Sequence, residues 1–320
     1  MKFYRFLTFL FILVGVFSCK GKEETIDVST IEVDVHIDRF EIDYHNATHD
    51  NFIALKEKYP KFFPEQKTDS LWLSYAQDSL WVALYEEVDN KYRSFEQQKK
   101  ELTDVFKHIK YYYPAFKTPR VVTFISSLDM EYQVINADDV LILSLDTFLG
   151  TDSKFYANYP TYLRASFDEN QISIQVARTI AKETQPKVPH RVFIDRMIAA
   201  GQLQYAVSKF TPAKTEADLF RYSSEKIKWL QDSEEEIWKY LIEREYLYST
   251  DKDLARRFLD PAPFTKFYMV YDNESPGRVG EWMGYQIVKA YMKNNDVSLP
   301  KMMATTPSQI FKKSKYKPTR

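Results

Sequence analysis

The sequence predicts an α+β fold, mostly helical, with one small mixed β-sheet. Three observations carry that expectation. Short apolar runs of β type cluster between Arg120 and Asp146, and one more lies at 31–38. Helical periodicity dominates the stretch before that cluster and nearly everything after Gly150. Apolar residues make up 44% of the 320 and aromatics 16%, which is ample for a packed core and excludes wholesale disorder.

The elements follow in order. "IEVDVHID" sets Ile31, Val33, Val35 and Ile37 against Glu32, Asp34, His36 and Asp38, the period-two pattern of a strand with one buried face. From Asp50 to about Tyr113 the pattern is helical, with Leu73, Leu80 and Leu84 at helical spacings and a break near Asp78 and Ser79. A further helix runs near Phe95–Tyr111 and is ended by Pro114 and Pro119. "RVVTFISS" (Arg120–Ser127), "EYQVI" and "DVLILSLD" read as three strands, the last two joined by Asn136–Asp139. The last is nearly all apolar, which places it centrally in a sheet. Helices are then expected at Asn170–Lys182, Arg191–Val207, Ser224–Gln231, Glu234–Tyr246, Asp251–Phe258 and Pro276–Asn294. No repeat or low-complexity linker interrupts them, so 31–320 reads as a single domain.

The N-terminus is of a different kind. Lys2 and Arg5 precede the apolar stretch Phe6 to Phe17. That stretch falls short of the roughly 20 residues of a bilayer-spanning helix and suits a signal h-region. "Val16-Phe17-Ser18-Cys19" resembles a bacterial lipobox, and Cys19 is the only cysteine in the sequence. Its thiol suits lipid attachment, and several acyl chains make a durable anchor. The expected map is a lipoprotein signal peptide at 1–18, a tether at 19–30 and the domain beyond. A lone cysteine excludes an internal disulfide framework. Lys plus Arg number 44 against 45 Asp plus Glu, so no overall basic field points to nucleic acid. Seven glycines argue against Gly-rich phosphate loops.

Strands followed by a long helix suit a zincin-like metalloprotease, whose helix carries His-Glu-x-x-His to hold zinc and supply a base. The corresponding stretch here, "QISIQVARTIAKETQPKVP", has no histidine. Ala177, Arg178 and Ala181 fall roughly where ligands and base would stand. The histidine spacing occurs once, in "His45-Asn46-Ala47-Thr48-His49", with Asn in place of Glu. Surface histidines, with Thr48 or Asp50 capping a helix, weigh more there than a metal site. No Gly-x-Ser-x-Gly occurs. A site assembled from Glu183, Asp195 or Glu236 with His190 stays open. Expected catalytic residues, metals and cofactors are therefore none.

In "NESPGRVGEWMGYQIVKAYM", Ser275 and Pro276 suit a helix start, and Gly280, Gly284, Ile287 and Tyr291 share one face. Internal packing or a partner surface would each account for two glycines there, since Gly costs up to about 1 kcal/mol against Ala in a helix. Ser233 reads as a cap for "EEEIWKYLIERE", with its Glu run supporting the helix dipole. The tail carries Lys312, Lys313, Lys315, Lys317 and Arg320, either solvated or set against lipid headgroups or an acidic partner.

With these residues assembled, the chain resembles the gliding-motility lipoprotein GldB family of the Bacteroidetes over nearly its whole length. The likeness is densest in "RFLDPAPFTKFYMVYDNESPGRVGEWMGYQIVKAYM" and "IFKKSKYKP". "FIDRMIAAGQLQYAV" is similar but departs around Ala200 and Gln202, where a bulkier residue and Lys would be expected. The wider family includes predicted zinc proteases, and this branch looks like a zincin-like fold that lost its ligands. The resemblance implies a non-catalytic cell-envelope protein, anchored by lipid and facing the periplasm. It would support gliding motility and type IX secretion machinery through envelope protein partners. The alternative is a zinc-dependent metallohydrolase or peptidase with an unorthodox ligand set.

Overall fold

Apolar runs in the middle of the chain pair into one four-stranded sheet. The computed structural model describes residues 26–319. The expected signal peptide 1–18, Cys19, the first part of the 19–30 tether and Arg320 lie outside the described residues. The strands are β1 (Ile37–Arg39), β2 (Arg120–Phe124), β3 (Val134–Ala137) and β4 (Val140–Ser144), in the spatial order β1-β2-β4-β3. β1 runs parallel to β2 and β2 parallel to β4, while β3 and β4 form an antiparallel hairpin. Leu141 and Leu143 are wholly buried, as the apolar run of a central strand requires. The hairpin turns at Asp138 and Asp139, with Asp138 in the left-handed conformation (φ 57) that Asp tolerates better than most residues. Asn136 and Ala137 thereby belong to β3 and not to the connection.

The first strand is shorter than its alternation implies. Only 37–39 pair as a strand, although Val121 N also donates to His36 O at 2.9 Å. Period two marks an extended chain with one inward face; it does not require a neighbour along the whole run.

Between β1 and β2 lie α1 (Phe40–His45), α2 (Phe52–Lys58), α3 (Asp69–Ala76), α4 (Ser79–Lys91) and α5 (Glu96–Tyr112). Asp78 caps α4, its carboxylate accepting from Leu80 N and Trp81 N, which explains the break seen there. The start of α2 falls at Asn51, with neither Thr48 nor Asp50 as its cap. After β4 come α6 (Thr161–Arg164), α7 (Ile172–Glu183), α8 (Phe193–Phe210), α9 (Glu216–Phe220), α10 (Ser224–Glu243), α11 (Asp253–Phe258), α12 (Val279–Asn294), α13 (Leu299–Ala304) and α14 (Pro307–Ser314).

Three expectations are corrected here. Ser224–Gln231 and Glu234–Tyr246 are one continuous helix, α10, so Ser233 caps nothing. Ser233 lies mid-helix because Leu230, Glu234, Ile237 and Leu241 keep a single buried stripe across it. The cap of α12 is Arg278 and not Ser275, since Asp272–Glu274 form a separate 3-10 turn ahead of it.

The helical half is built around α8 and α12. Their backbones meet at Gly201 and Gly284: a Cβ on Gly284 would stand 1.8 Å from Met197 O, and one on Gly201 would stand 2.2 Å from Gly284 C. α7 lies between this pair and the sheet, touching α8, α5 and β3. Its Ala177 and Ala181 are fully buried. Among the described residues no helix is long and apolar enough to cross a membrane.

Candidate functional site

α7 brings one charged side chain into this interior. Ile172, Val176, Ala177, Ile180 and Ala181 bury its apolar face, and Arg178 reaches toward α8 and α12. Its Nη2 donates to Gln204 Oε1 at 2.5 Å, and its Nη1 lies 3.5 Å from Glu281 Oε1. Gln204 is held in that orientation because its own amide donates to Leu219 O at 2.8 Å. The Nε of Arg178 is buried and makes no hydrogen bond.

Two further arginines converge on the same place from helix ends. α9 opens with a capping box between Thr215 and Asp218 and closes on Arg221, which stands in the left-handed conformation (φ 57). Arg278 is also left-handed (φ 62) at the start of α12. Such backbone costs an L-residue about 1–2 kcal/mol. Arg278 Nη1 donates to Glu281 Oε2 at 2.7 Å, its Nη2 donates to Phe220 O, and its guanidinium lies over the Tyr222 ring at 5.4 Å. The Tyr222 hydroxyl donates to Gly277 O. Gly277 permits a close approach, since a Cβ there would stand 2.0 Å from Ala262 O.

Three guanidiniums thus face one carboxylate. Burial opposes ionisation of Glu281, but Arg278, Arg178 and Arg221 outweigh it and hold its pKa below the ordinary carboxylate range. Arg221 differs from the other two. Its side chain makes no hydrogen bond or ion pair with the described residues. Burial, Arg278 and Arg178 push its pKa down to about 9. A guanidinium so placed is destabilised by its neighbours and lacks a carboxylate of its own.

These side chains border a cavity of about 760 Å³. Arg178, Arg221, Arg278 and Glu281 form its charged wall; Tyr162, Leu163, Leu259, Pro261 and Pro263 supply an apolar one. Lys226 also lines it, with its Nζ donating to the carbonyls of Asn273, Glu274 and Ser275. A donor set of this kind attracts anions and repels metal cations. A second cavity, of about 600 Å³, is aromatic and lies between α1, α3 and β2, with Phe40, Tyr44, Trp72 and Phe124 in its walls.

The residues singled out in the sequence distribute differently. Gly280, Gly284, Ile287 and Tyr291 are all buried. Gly284 meets α8, and a Cβ on Gly280 would stand 2.9 Å from Phe258 O, so this face is turned inward. His45 stacks on Tyr85 with centroids 3.7 Å apart. Glu183 accepts from Asn136 at 3.0 Å, and Glu236 pairs with Lys239 at 2.9 Å. Burial raises the Asp195 pKa, against a lowering by His190. Among the described residues no three His, Cys, Asp or Glu side chains are grouped to hold a metal. Arg178 was visible in the sequence as a cation on the would-be metal helix. Arg221, Arg278 and Glu281 were not visible as partners. Their one local trace is the Arg-x-x-Glu spacing of Arg278 and Glu281 across a helix start.

Residues 21–318 match the family of the gliding motility protein GldB. The chain belongs to the GldB gliding-motility family. No curated protein and no solved structure matches it. The match spans the sheet, α7 and all three arginines of the cavity, so the cluster lies within the matched region.

Proposed function

We propose that this GldB-family protein is a lipid-anchored, non-catalytic component of the cell envelope that supports gliding motility, together with type IX secretion machinery. In this reading Cys19 carries the lipid, residues up to about 30 tether the domain, and the domain faces the periplasm. The fold descends from a zincin-like zinc protease whose metal helix corresponds to α7. The observation that carries the non-catalytic reading is the chemistry around α7. Ala177 and Ala181 offer buried methyl groups, and Arg178 joins two other guanidiniums about the cavity. Zinc requires neutral imidazole, thiolate or carboxylate donors and an open position for water. Three fixed positive charges around one carboxylate oppose that arrangement. Envelope proteins of the gliding apparatus are the partners this reading requires.

The anchor is tested by Cys19→Ser. Wild type should fractionate with membranes and incorporate labelled fatty acid. The variant should do neither, and cells carrying it as their sole copy should lose gliding. A Cys19→Ser protein that still takes up fatty acid and stays with membranes overturns the anchor.

A further inference from the structure

We infer that the cavity between α7, the turn at 261–263 and the start of α12 is a binding site for a phosphate group, carried on an uncharged and partly apolar body. The inference goes beyond the envelope role and stands whether or not Cys19 carries lipid.

The cavity has more positive charge than its own residues satisfy. Glu281 takes Arg278 at 2.7 Å and Arg178 at 3.5 Å, and so holds both guanidiniums in place. Arg221 stands beside them with no acceptor among the described residues. Arg178 keeps a buried Nε without a hydrogen bond. A buried guanidinium nitrogen without a partner is unusual, because buried polar groups are nearly always paired, and here it lies in the same cavity as an arginine without a carboxylate partner.

Charge and shape select the ligand. Three guanidiniums and Lys226 against one carboxylate leave an excess of three positive charges, most of which a dianionic phosphate monoester offsets near neutral pH. A guanidinium presents its N–H groups as a planar fork, suited to two oxygens of one phosphate. A carboxylate brings one charge and would leave two of those three standing. The apolar part of the lining, with Leu163 and Leu259, offers no hydrogen bond to a second charged group. It suits an uncharged body attached to the phosphate, and about 760 Å³ accommodates one of small-molecule size.

The backbone is built for this arrangement. Arg221 and Arg278 both sit in left-handed backbone, at φ 57 and φ 62, where glycine or asparagine would be cheaper. Strain of this sort collects at ligand sites, where the surrounding structure holds it. Tyr222 and Gly277 secure the two segments to each other through the Tyr222 hydroxyl.

The phosphate has two candidate sources, a soluble phosphomonoester and a phospholipid headgroup. The experiment uses the full lipidated chain in a neutral detergent. Thermal unfolding is followed in sodium phosphate and in sodium chloride of equal ionic strength. Calorimetric titrations then use glycerol 3-phosphate and dihexanoyl phosphatidic acid. The wild type should melt higher in phosphate than in chloride, and it should bind at least one of the two organic probes. Arg221→Gln should melt no lower than wild type in chloride, because it removes a half-buried guanidinium that has no carboxylate partner and is repelled by Arg178 and Arg278. It should lose the phosphate shift and bind the probes about tenfold more weakly or worse. Arg221→Lys, which keeps the charge and loses the fork, should fall between them. Tighter binding of the lipid than of glycerol 3-phosphate assigns the headgroup source; the reverse order assigns a soluble ligand. Equal melting of wild type in phosphate and chloride with no binding of either probe overturns the inference. So does binding that Arg221→Gln leaves unchanged, and so does an Arg221→Gln protein that melts lower in chloride, as a purely structural arginine would require.

Discussion

At the scale of single residues, the strongest constraint is the absence of a side chain. An exposed helical Gly→Ala substitution stabilises by up to about 1 kcal/mol. At Gly284 the sign reverses, because the added methyl would stand 1.8 Å from Met197 O, a backbone atom of α8 that cannot turn aside. The two helices must separate, and Gly284→Ala should destabilise by about 1–3 kcal/mol or more. Gly280→Ala meets Phe258 O at 2.9 Å and should cost less. Denaturant midpoints of the two variants against wild type check the order. A Gly284→Ala protein as stable as wild type would show that α8 and α12 cross farther apart. Asp146 is the polar counterpart. Its buried carboxylate accepts from Ser126 N at 2.9 Å and Leu128 N at 2.6 Å, next to the left-handed Ser127 and Leu128. Asp146→Ala leaves these donors without their acceptor, and a loss of about 2–3 kcal/mol is expected in the same assay.

At the scale of elements, the chain end matters more than its composition suggests. The lysines of the terminal stretch are exposed, yet Tyr316 and Thr319 dock on α10. The Tyr316 hydroxyl donates to Glu234 Oε1 at 2.7 Å, Thr319 N donates to Glu234 Oε2 at 3.2 Å, and the Tyr316 ring meets Trp238 edge-on at 5.2 Å. Glu234 is buried, so its carboxylate depends on these donors. Tyr316→Phe keeps the ring contact and removes one donor; it should cost about 1–2 kcal/mol. Hydrogen exchange should then accelerate in α14 and in the middle of α10. If it changes only beyond residue 314, the tail is not a brace for α10. This docking also explains why the Glu run at 234–236 is split in purpose. Glu234 faces inward to the tail, whereas Glu235 and Glu236 pair with Lys239 at 3.2 and 2.9 Å.

At the scale of the whole molecule, the sheet, α7 and the α8–α12 pair form successive layers, and the arginine cavity opens where α7 meets the start of α12. A metallohydrolase and a non-catalytic envelope protein differ in what this region holds. Protein purified without chelators should carry well under one equivalent of zinc and show no peptidase activity. Near one equivalent of zinc, lost together with activity in His190→Ala, would instead make the chain an enzyme.

Helix and strand positions were largely legible in the sequence, because 3.6-residue and two-residue periodicities are local properties of side-chain order. The apolar run Val140–Ser144 announced an interior strand, and Asp78 and Ser79 announced a break in the helical pattern. Boundaries that depend on neighbours were not legible. Ser233 has the composition of a cap, but burial of Leu230, Glu234 and Ile237 along one stripe carries α10 straight through it. The pairing of 37–39 alone depends on where β2 begins, some eighty residues later. The glycine face was readable as a place of close approach, while its partner, Met197 on α8, was not. The arginine cavity was the least legible of all. Arg178, Arg221 and Arg278 are widely separated in sequence and stand on α7, at the end of α9 and at the start of α12, and nothing local to any one of them points to the other two. The sequence by itself determined the composition of the elements, the absence of an imidazole pair on α7 and the lone cysteine at the end of an apolar leader. Only the tertiary structure decided that three of its arginines would share one cavity. Charge clustering is a property of distances in space, and those are set by how α7, α9 and α12 pack.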